Sequence, residues 1–243
     1  MFKKIFSRDI VLCVALGANV NNADEWLKYA EREMRGDRSH SKMTMTIQTP
    51  NWNRTLEIES DVEGKKQALS TIQSPPKEKG IRTLRIENKM WNYFPKLKRK
   101  VAVSSSMLLA SWMGSDFTND DILKASSMAE DYNHKFGKDE GEFKVIENTA
   151  KSNSKVMWPK IVTLASKDDC LPRMYKYYDK EDKLRRTLTF SNIKNFDGHK
   201  VPAHWEMVPE ENKTKKTIID YKSLSFDVKF KPDHFSQKNL TSN

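Results

Sequence analysis

NKMWNYFPKLKRKVAVSSSMLLASWMGSDFTNDD, residues 88–121, is the stretch from which the rest of the chain is read. Trp91 and Tyr93 alternate with Met90, Asn92 and Phe94, the period of two that predicts a strand with two distinct faces. A basic run follows at Lys96, Lys98, Arg99 and Lys100. From Ser104 the alternation stops, and SSSMLLASWMG predicts a short helix ending at Gly114. Thr118-Asn119-Asp120-Asp121 resembles a capping box with Asp in place of Glu, and DDILKASSMAEDYNHKF predicts a second helix. Nothing here has the look of a nucleophile or a metal ligand. The stretch offers apolar surface beside an insertion that is placed to act as a lid, with positive charge next to both.

Outside the insertion the period of two dominates. Met43, Met45 and Ile47 alternate with threonines and Gln48. Leu56 and Ile58 alternate with Thr55, Glu57 and Glu59, and Leu84 and Ile86 with Arg85 and Glu87. Each pattern predicts a strand with one oily and one wet face. Asn88-Lys89 predicts a hairpin connection. Strands resume near Glu142, with candidates at 143–148, 156–165, 173–179, 184–192, 201–208, 217–221 and 224–228. Trp205 and Met207 share a face, and Asp197-Gly198 is a hairpin turn signal. Roughly ten antiparallel strands in sequence order predict a meander, strongly curved or barrel-like. Before them, DEWLKYAEREM places Trp26, Leu27, Ala30 and Met34 on one helical stripe.

The 243 residues carry a net charge of +10, with Gly and Pro scarce. That composition describes a globular chain whose basic surface suits nucleic acid, an anionic membrane or an acidic partner. The N-terminus narrows the compartment. Lys3, Lys4 and Arg8 precede a short apolar run from Ile10 to Ala18, which predicts a signal peptide over residues 1–23 and a periplasmic domain over 24–243. The run is too short to span a bilayer. Cleavage would remove Cys13 and leave Cys170 as a lone, buried thiol with no disulfide.

Catalytic motifs are missing: there is no G-x-S-x-G, H-E-x-x-H, phosphate-binding loop or dinucleotide fingerprint. His199 and His204 fall on opposite faces of a strand. Asp116, Asp120 and Asp121 suit a cation site or a capped helix start, and capping is the simpler reading. Methionines and tryptophans recur through the strands and the insertion, and methionine suits surfaces that repack around variable apolar ligands.

Four stretches, MRGDRSHSKMTMTIQTPNWNRTLEIE, ENKMWNYFPKLKR, SWMGSDFTNDDIL and RTLTFSNIKNFDGHKVPAHWEM, resemble the outer-membrane lipoprotein-sorting family, which is similar to the LolA and LolB carriers. The resemblance implies an α+β, mainly β, fold. It would be a single curved antiparallel sheet forming an open half-barrel, with an N-terminal helix and a helical lid around a hydrophobic cavity. It implies a carrier of acyl chains, from a lipoprotein or another lipid, moving between inner and outer membrane. No catalytic group, cofactor or metal is expected. Partners would be an inner-membrane transporter and, transiently, an anionic membrane surface, but not nucleic acid, and the carrier would be a monomer. An accessory module of a resistance-nodulation-type transporter and a lipid-acting enzyme are the alternatives. The expected lipid-contacting strand residues are Met43, Met45, Leu56, Ile58, Leu84, Ile86, Trp91, Tyr93, Trp205 and Met207. Met107, Leu108, Trp112 and Met113 would contribute from the lid.

Overall fold

The computed structural model describes residues 22–125 and 128–242. Most of the expected signal peptide therefore lies outside the described residues. Helix α1 (Ala23–Arg35) begins at Asn22, whose side chain accepts the Asp24 N–H. Acidic residues Asp24 and Glu25 open it and basic Arg32 and Arg35 close it, matching the helix dipole. Gly36 ends it at φ 60°, and a Cβ there would stand 2.6 Å from the Phe226 ring. The expected stripe is buried at Trp26, Leu27 and Ala30.

Strands β1 (Arg38–Gln48), β2 (Asn53–Glu63), β3 (Gln67–Ser74), β4 (Arg82–Ile86), β5 (Lys89–Phe94) and β6 (Arg99–Ala102) form a first meander. The second comprises β7 (Tyr132–Phe136), β8 (Phe143–Ala150), β9 (Lys160–Ser166), β10 (Pro172–Tyr178), β11 (Leu184–Phe196), β12 (His199–Pro209) and β13 (Lys216–Phe226). Together they make one antiparallel sheet in the order β6-β5-β4-β3-β2-β1-β13-β12-β11-β10-β9-β8-β7. The sheet does not close, and β6 and β7 are its edges. Asp197 and Gly198, at φ 50° and 92°, make the two-residue turn between β11 and β12.

Several expectations are corrected. The sheet has thirteen strands, not about ten, and the two meanders meet at β1 and β13 rather than running in simple sequence order. The pair read at 217–221 and 224–228 is the single strand β13. A bulge skips Lys222 in its pairing with β1, so that Tyr221 and Leu224 both face the same side. The insertion is less helical than its sequence predicts. Residues 105–107 and 112–114 are single 3-10 turns, with Met113 at φ 51°. The second predicted helix divides into α2 (Asn119–Leu123), α3 (Met128–Asp131) and edge strand β7, where Tyr132 to Phe136 pair with β8. The capping box does form: Thr118 caps the Asp121 N–H, and the Asp121 carboxylate accepts the Thr118 N–H. Cys170 is buried but is not a free thiol, against the lone thiol expected.

Both faces of the sheet are covered in part. The largest apolar cluster gathers Met45, Ile47, Leu56, Leu188 and Met207 with Trp112 and Phe117 of the insertion. A second cluster seats Trp26 and Leu27 of α1 against Ile146 and Ala165. A third lies on the opposite face, where Phe235 and Leu240 of the C-terminal segment, with its short helix α4 (Gln237–Thr241), cover Leu69, Leu84 and Tyr93. No helix among the described residues is long and apolar enough to cross a membrane.

Candidate functional site

Between α1, the sheet and the insertion lies a cavity of ≈ 320 Å³. Its two walls differ in chemistry. On one, a train of edge-to-face and tilted rings crosses four strands. Tyr175 stands 4.8 Å from Phe190, Phe190 5.1 Å from Trp205, and Trp205 5.5 Å from Tyr221. Burial pushes the phenols of Tyr175 and Tyr177 well above their ordinary range and that of Tyr221 up to about 12. This wall is therefore neutral at ordinary pH.

The other wall is graded along the strands. Its first row is apolar, Met43 opposite Ile58 and Ile58 opposite Ile72. The next row is hydroxylated: Ser41, Ser60, Ser70 and Thr83 stand in register across β1, β2, β3 and β4. The Ser60 and Ser70 hydroxyls are 2.9 Å apart, and Ser41 donates to the Ser60 carbonyl at 3.3 Å. One row further, Val62 and Ala68 lead to Arg85. Arg35, from the end of α1, reaches the same end of the cavity.

The two arginines hold that end together. Arg35 donates to the carbonyls of Ala125 and Gly64 at 3.2 and 3.4 Å, and Arg85 to those of Leu123 and Lys65 at 3.2 and 3.0 Å. Each thus bridges the β2–β3 turn and the segment after α2. Burial, and then the charge of Arg35, depress the Arg85 guanidinium to about 10. Burial likewise lowers Arg35, opposed by Glu31. Glu31 is raised by burial, with Lys65 at 3.8 Å working against the shift.

The insertion roofs the cavity through a series of anchors. Trp112 is buried and donates its indole N–H to Thr83 of β4 at 3.1 Å. Arg54 of β2 donates to the Met113 carbonyl. Asp116 accepts from Thr217 of β13 at 2.7 Å and pairs with Lys215 at 2.8 Å. Asp121 takes both arms of Arg186 of β11, whose guanidinium lies 4.3 Å from the Trp158 ring and 4.4 Å from Tyr177. Burial, the largest influence, would lower Arg186, but the Asp121 carboxylate together with Tyr177 and Asp116 outweighs it and raises it. Asp116 and Asp121 are therefore structural anchors, and no metal-holding cluster occurs among the described residues.

Of the residues expected to contact lipid, Met43, Ile58, Trp112 and Trp205 line the cavity. Met45, Leu56 and Met207 are packed behind that lining as solid core. Leu84, Ile86, Trp91 and Tyr93 face the other way, under Phe230, Phe235 and Leu240. Met107 is exposed, Leu108 and Met113 are half-buried, and none of the three is on the cavity wall. The sequence reading missed Arg35, Arg85, the serine row, Phe117, Tyr175, Phe190 and Tyr221. Tyr175 and Phe190 were visible within strand patterns, whereas Arg85 was read on a wet face and Ser41, Ser60 and Ser70 lay outside the alternating runs that were read.

Comparison with known proteins agrees with this architecture. A protein-family model described as "-like: Uncharacterized protein" matches residues 64–242. No curated protein matches the sequence. A DUF1329 family protein from Desulfovibrio piger superposes with a TM-score of 0.82 at 22% identity, covering 90% of this chain and 97% of that one. A domain from Vibrio parahaemolyticus described as an outer membrane lipoprotein-sorting protein gives 0.79 at 23% identity, covering 92% of this chain and 100% of that one. A LolA superfamily protein from Nitrosomonas europaea gives 0.76 at 18% identity, covering 89% and 98%. The chain belongs to the family whose model spans residues 64–242, and its fold is that of the LolA superfamily and the lipoprotein-sorting proteins.

Proposed function

We propose that the protein is a periplasmic carrier that shields an acyl chain, from a lipoprotein or a free lipid, in transit between inner and outer membrane. The observation that carries this reading is the aromatic-walled cavity of ≈ 320 Å³. Ligand pockets run from about 300 to 1,000 Å³, and this one, at the small end, suits a single chain. Burying a methylene is worth about 0.8 kcal/mol, so about ten of them supply on the order of 8 kcal/mol before ordering costs. That gross gain, less the cost of ordering the chain, supplies affinity without any catalytic group. In this reading residues 1–23 are a removable leader, residues 24–243 act as one monomeric carrier domain, and displacement of the insertion admits the chain. The basic turn at Lys96–Lys100, with Leu97 72% exposed at its tip, supports transient contact with an anionic membrane or an acidic transporter face. The test is organic extraction of the protein purified from its own periplasm, followed by mass spectrometry. Stoichiometric acyl lipid is expected. A lipid-free protein that also fails to bind acyl probes would overturn the reading.

A further inference from the structure

One end of the sheet carries a surface that the cavity does not use. In the first meander the β1–β2, β3–β4 and β5–β6 turns all fall at that end, because antiparallel neighbours reverse there. The turns adjoin: Arg54 lies 3.9 Å from Glu78, and a Cβ on Gly80 would stand 3.1 Å from Pro95. Trp52 and Leu97 project from the outer two, 50% and 72% exposed. Lys77, Lys79, Lys96, Lys98 and Arg99 stand on or next to the same turns, all exposed. We infer that this end docks on an anionic phospholipid surface, with Trp52 and Leu97 entering the headgroup layer. This rests on the acyl-carrier reading, which requires a membrane to load from or deliver to, and names the face that meets it.

The charge at these turns has no internal answer. Glu78 is the one acid in them, and Arg54 faces it. None of the other five cations makes an ion pair among the described residues. The β10–β11 and β12–β13 turns, at the same end of the second meander, differ. They carry Asp179, Glu181, Asp182, Glu210 and Glu211, and cations there are paired. Lys160 meets Asp182 at 2.7 Å, Lys213 meets Glu210 at 2.9 Å, and Arg185 meets Glu211. Unpaired positive charge is thus concentrated on the half of this end that also exposes Trp52 and Leu97. An anionic leaflet attracts such a cluster.

The side chains favour a bilayer over an acidic protein. Four of the five cations are lysines, point charges on long apolar stems, which suit a fluid layer of phosphates better than a planar, bidentate partner. Tryptophan is enriched where a bilayer meets water. The apolar tips also sit on fixed turns. Thr49 and Trp52 share bonds of 2.9, 3.0 and 3.1 Å, and the Lys98 N–H closes the Pro95–Leu97 turn on the Pro95 carbonyl at 3.0 Å. Insertion therefore pays little to order the backbone that carries them.

The experiment is flotation of the full chain, as purified from cells, with vesicles of phosphatidylglycerol mixed with phosphatidylcholine, against phosphatidylcholine alone, over a salt series. A basic residue brought to an anionic surface is worth roughly a factor of five. Binding to the anionic vesicles is expected to exceed binding to the neutral ones by about a hundredfold or more and to weaken with salt. A variant with Lys77→Gln, Lys79→Gln, Lys96→Gln and Lys98→Gln should lose about a hundredfold or more. The same change at Lys194, Lys200, Lys222 and Lys229, exposed elsewhere, should cost less than about tenfold. Brominated acyl chains should quench the wild-type emission more than that of Trp52→Phe. Equal binding to both vesicles, binding to neither, or equal losses in the two quadruple variants would overturn the docking face. The cavity's ligand is read separately by extraction, so the acyl reading would stand. Tighter binding to polyglutamate than to anionic vesicles, unchanged by Trp52→Ser, would assign the face to an acidic protein and overturn the membrane. The vesicle comparison is made on the wild-type chain, so it decides the matter even if a variant fails to fold.

Discussion

Replacing Arg186 should cost more than replacing any residue of the aromatic wall. Arg186 is 5% exposed, and the Asp121 side chain it grips is 14% exposed. Removing one partner of a buried ion pair leaves the other charge uncompensated, a loss of about 3–5 kcal/mol. Two ring contacts add roughly 0.5–2 kcal/mol each when desolvated, and a further bond to the Asp116 carbonyl is lost at 3.0 Å. Methionine recovers part of the ring packing, so Arg186→Met is expected to cost about 4 kcal/mol. Asp121→Asn keeps an acceptor for the Thr118 cap and should cost about 2–3 kcal/mol through the stranded guanidinium.

The double variant strands no charge. Its loss should fall short of the sum by about 2 kcal/mol or more, since groups in direct contact couple. Urea unfolding followed by tryptophan fluorescence measures all three. Proteolysis of residues 103–125 should also accelerate in the single variants, because Arg186 ties that segment to β11. Single losses below about 1 kcal/mol, or additivity within about 0.5 kcal/mol, would refute the anchor.

Trp112→Ala should cost about 3 kcal/mol, the low end for a buried tryptophan, because one face of the ring already borders a cavity; affinity for an alkyl probe should fall with it, and unchanged affinity would place the chain elsewhere. Gly36→Ala should destabilise by about 1–3 kcal/mol, as φ 60° and the Phe226 ring at 2.6 Å both oppose a Cβ; thermal melting reads this, and a neutral result would refute the close approach. Tyr132, Tyr175, Tyr177 and Tyr221 have phenols raised by burial, so the unfolded chain ionises first. Their stabilising contribution is complete below about pH 10 and is lost as pH rises towards 12 and beyond. Tyrosinate absorbance should accordingly resolve an ordinary and a delayed class, and a single transition near pH 10 would contradict the buried wall.

Most strands were legible because one face is wet. Thr44, Thr46, Glu57 and Glu59 mark the outer side of β1 and β2 so clearly that Met45 and Leu56 could only be core. The same logic misassigned β4 and β5. Alternation separates two faces but does not say which one points to the cavity when both are covered. Leu84, Ile86, Trp91 and Tyr93 are oily because the C-terminal segment lies over them, and Arg85 and Thr83 point inward. Strand β3 was missed because QALSTIQS buries only Leu69 and Ile72 and has no strict alternation. The insertion misled for another reason. SSSMLLASWMG has the composition of a short helix, yet Asn119 and Asp120 at the start of α2 bond the carbonyls of Met107, Ala110 and Leu108 and hold that run as a loop.

The roof follows from the topology. Consecutive strands β6 and β7 lie at opposite edges of a thirteen-stranded sheet, so the chain joining them has to cross the side that the sheet leaves open. Its anchors fall in the order of the sheet: Trp112 on β4, Met113 on β2, Asp116 on β13 and Asp121 on β11. A crossing tied at every second strand keeps its residues at fixed positions without needing regular helix. This explains why single 3-10 turns and a five-residue helix suffice where a helical lid was expected. It also divides the roof energetically. The Asp121–Arg186 end is clamped by a buried ion pair, whereas the Leu123–Ala125 end is held by arginine–carbonyl bonds of 3.2 Å. Opening should therefore begin at the arginine end. Amide exchange that is faster at residues 122–125 than at 112–121 is the expected signature, and the reverse order would refute this division.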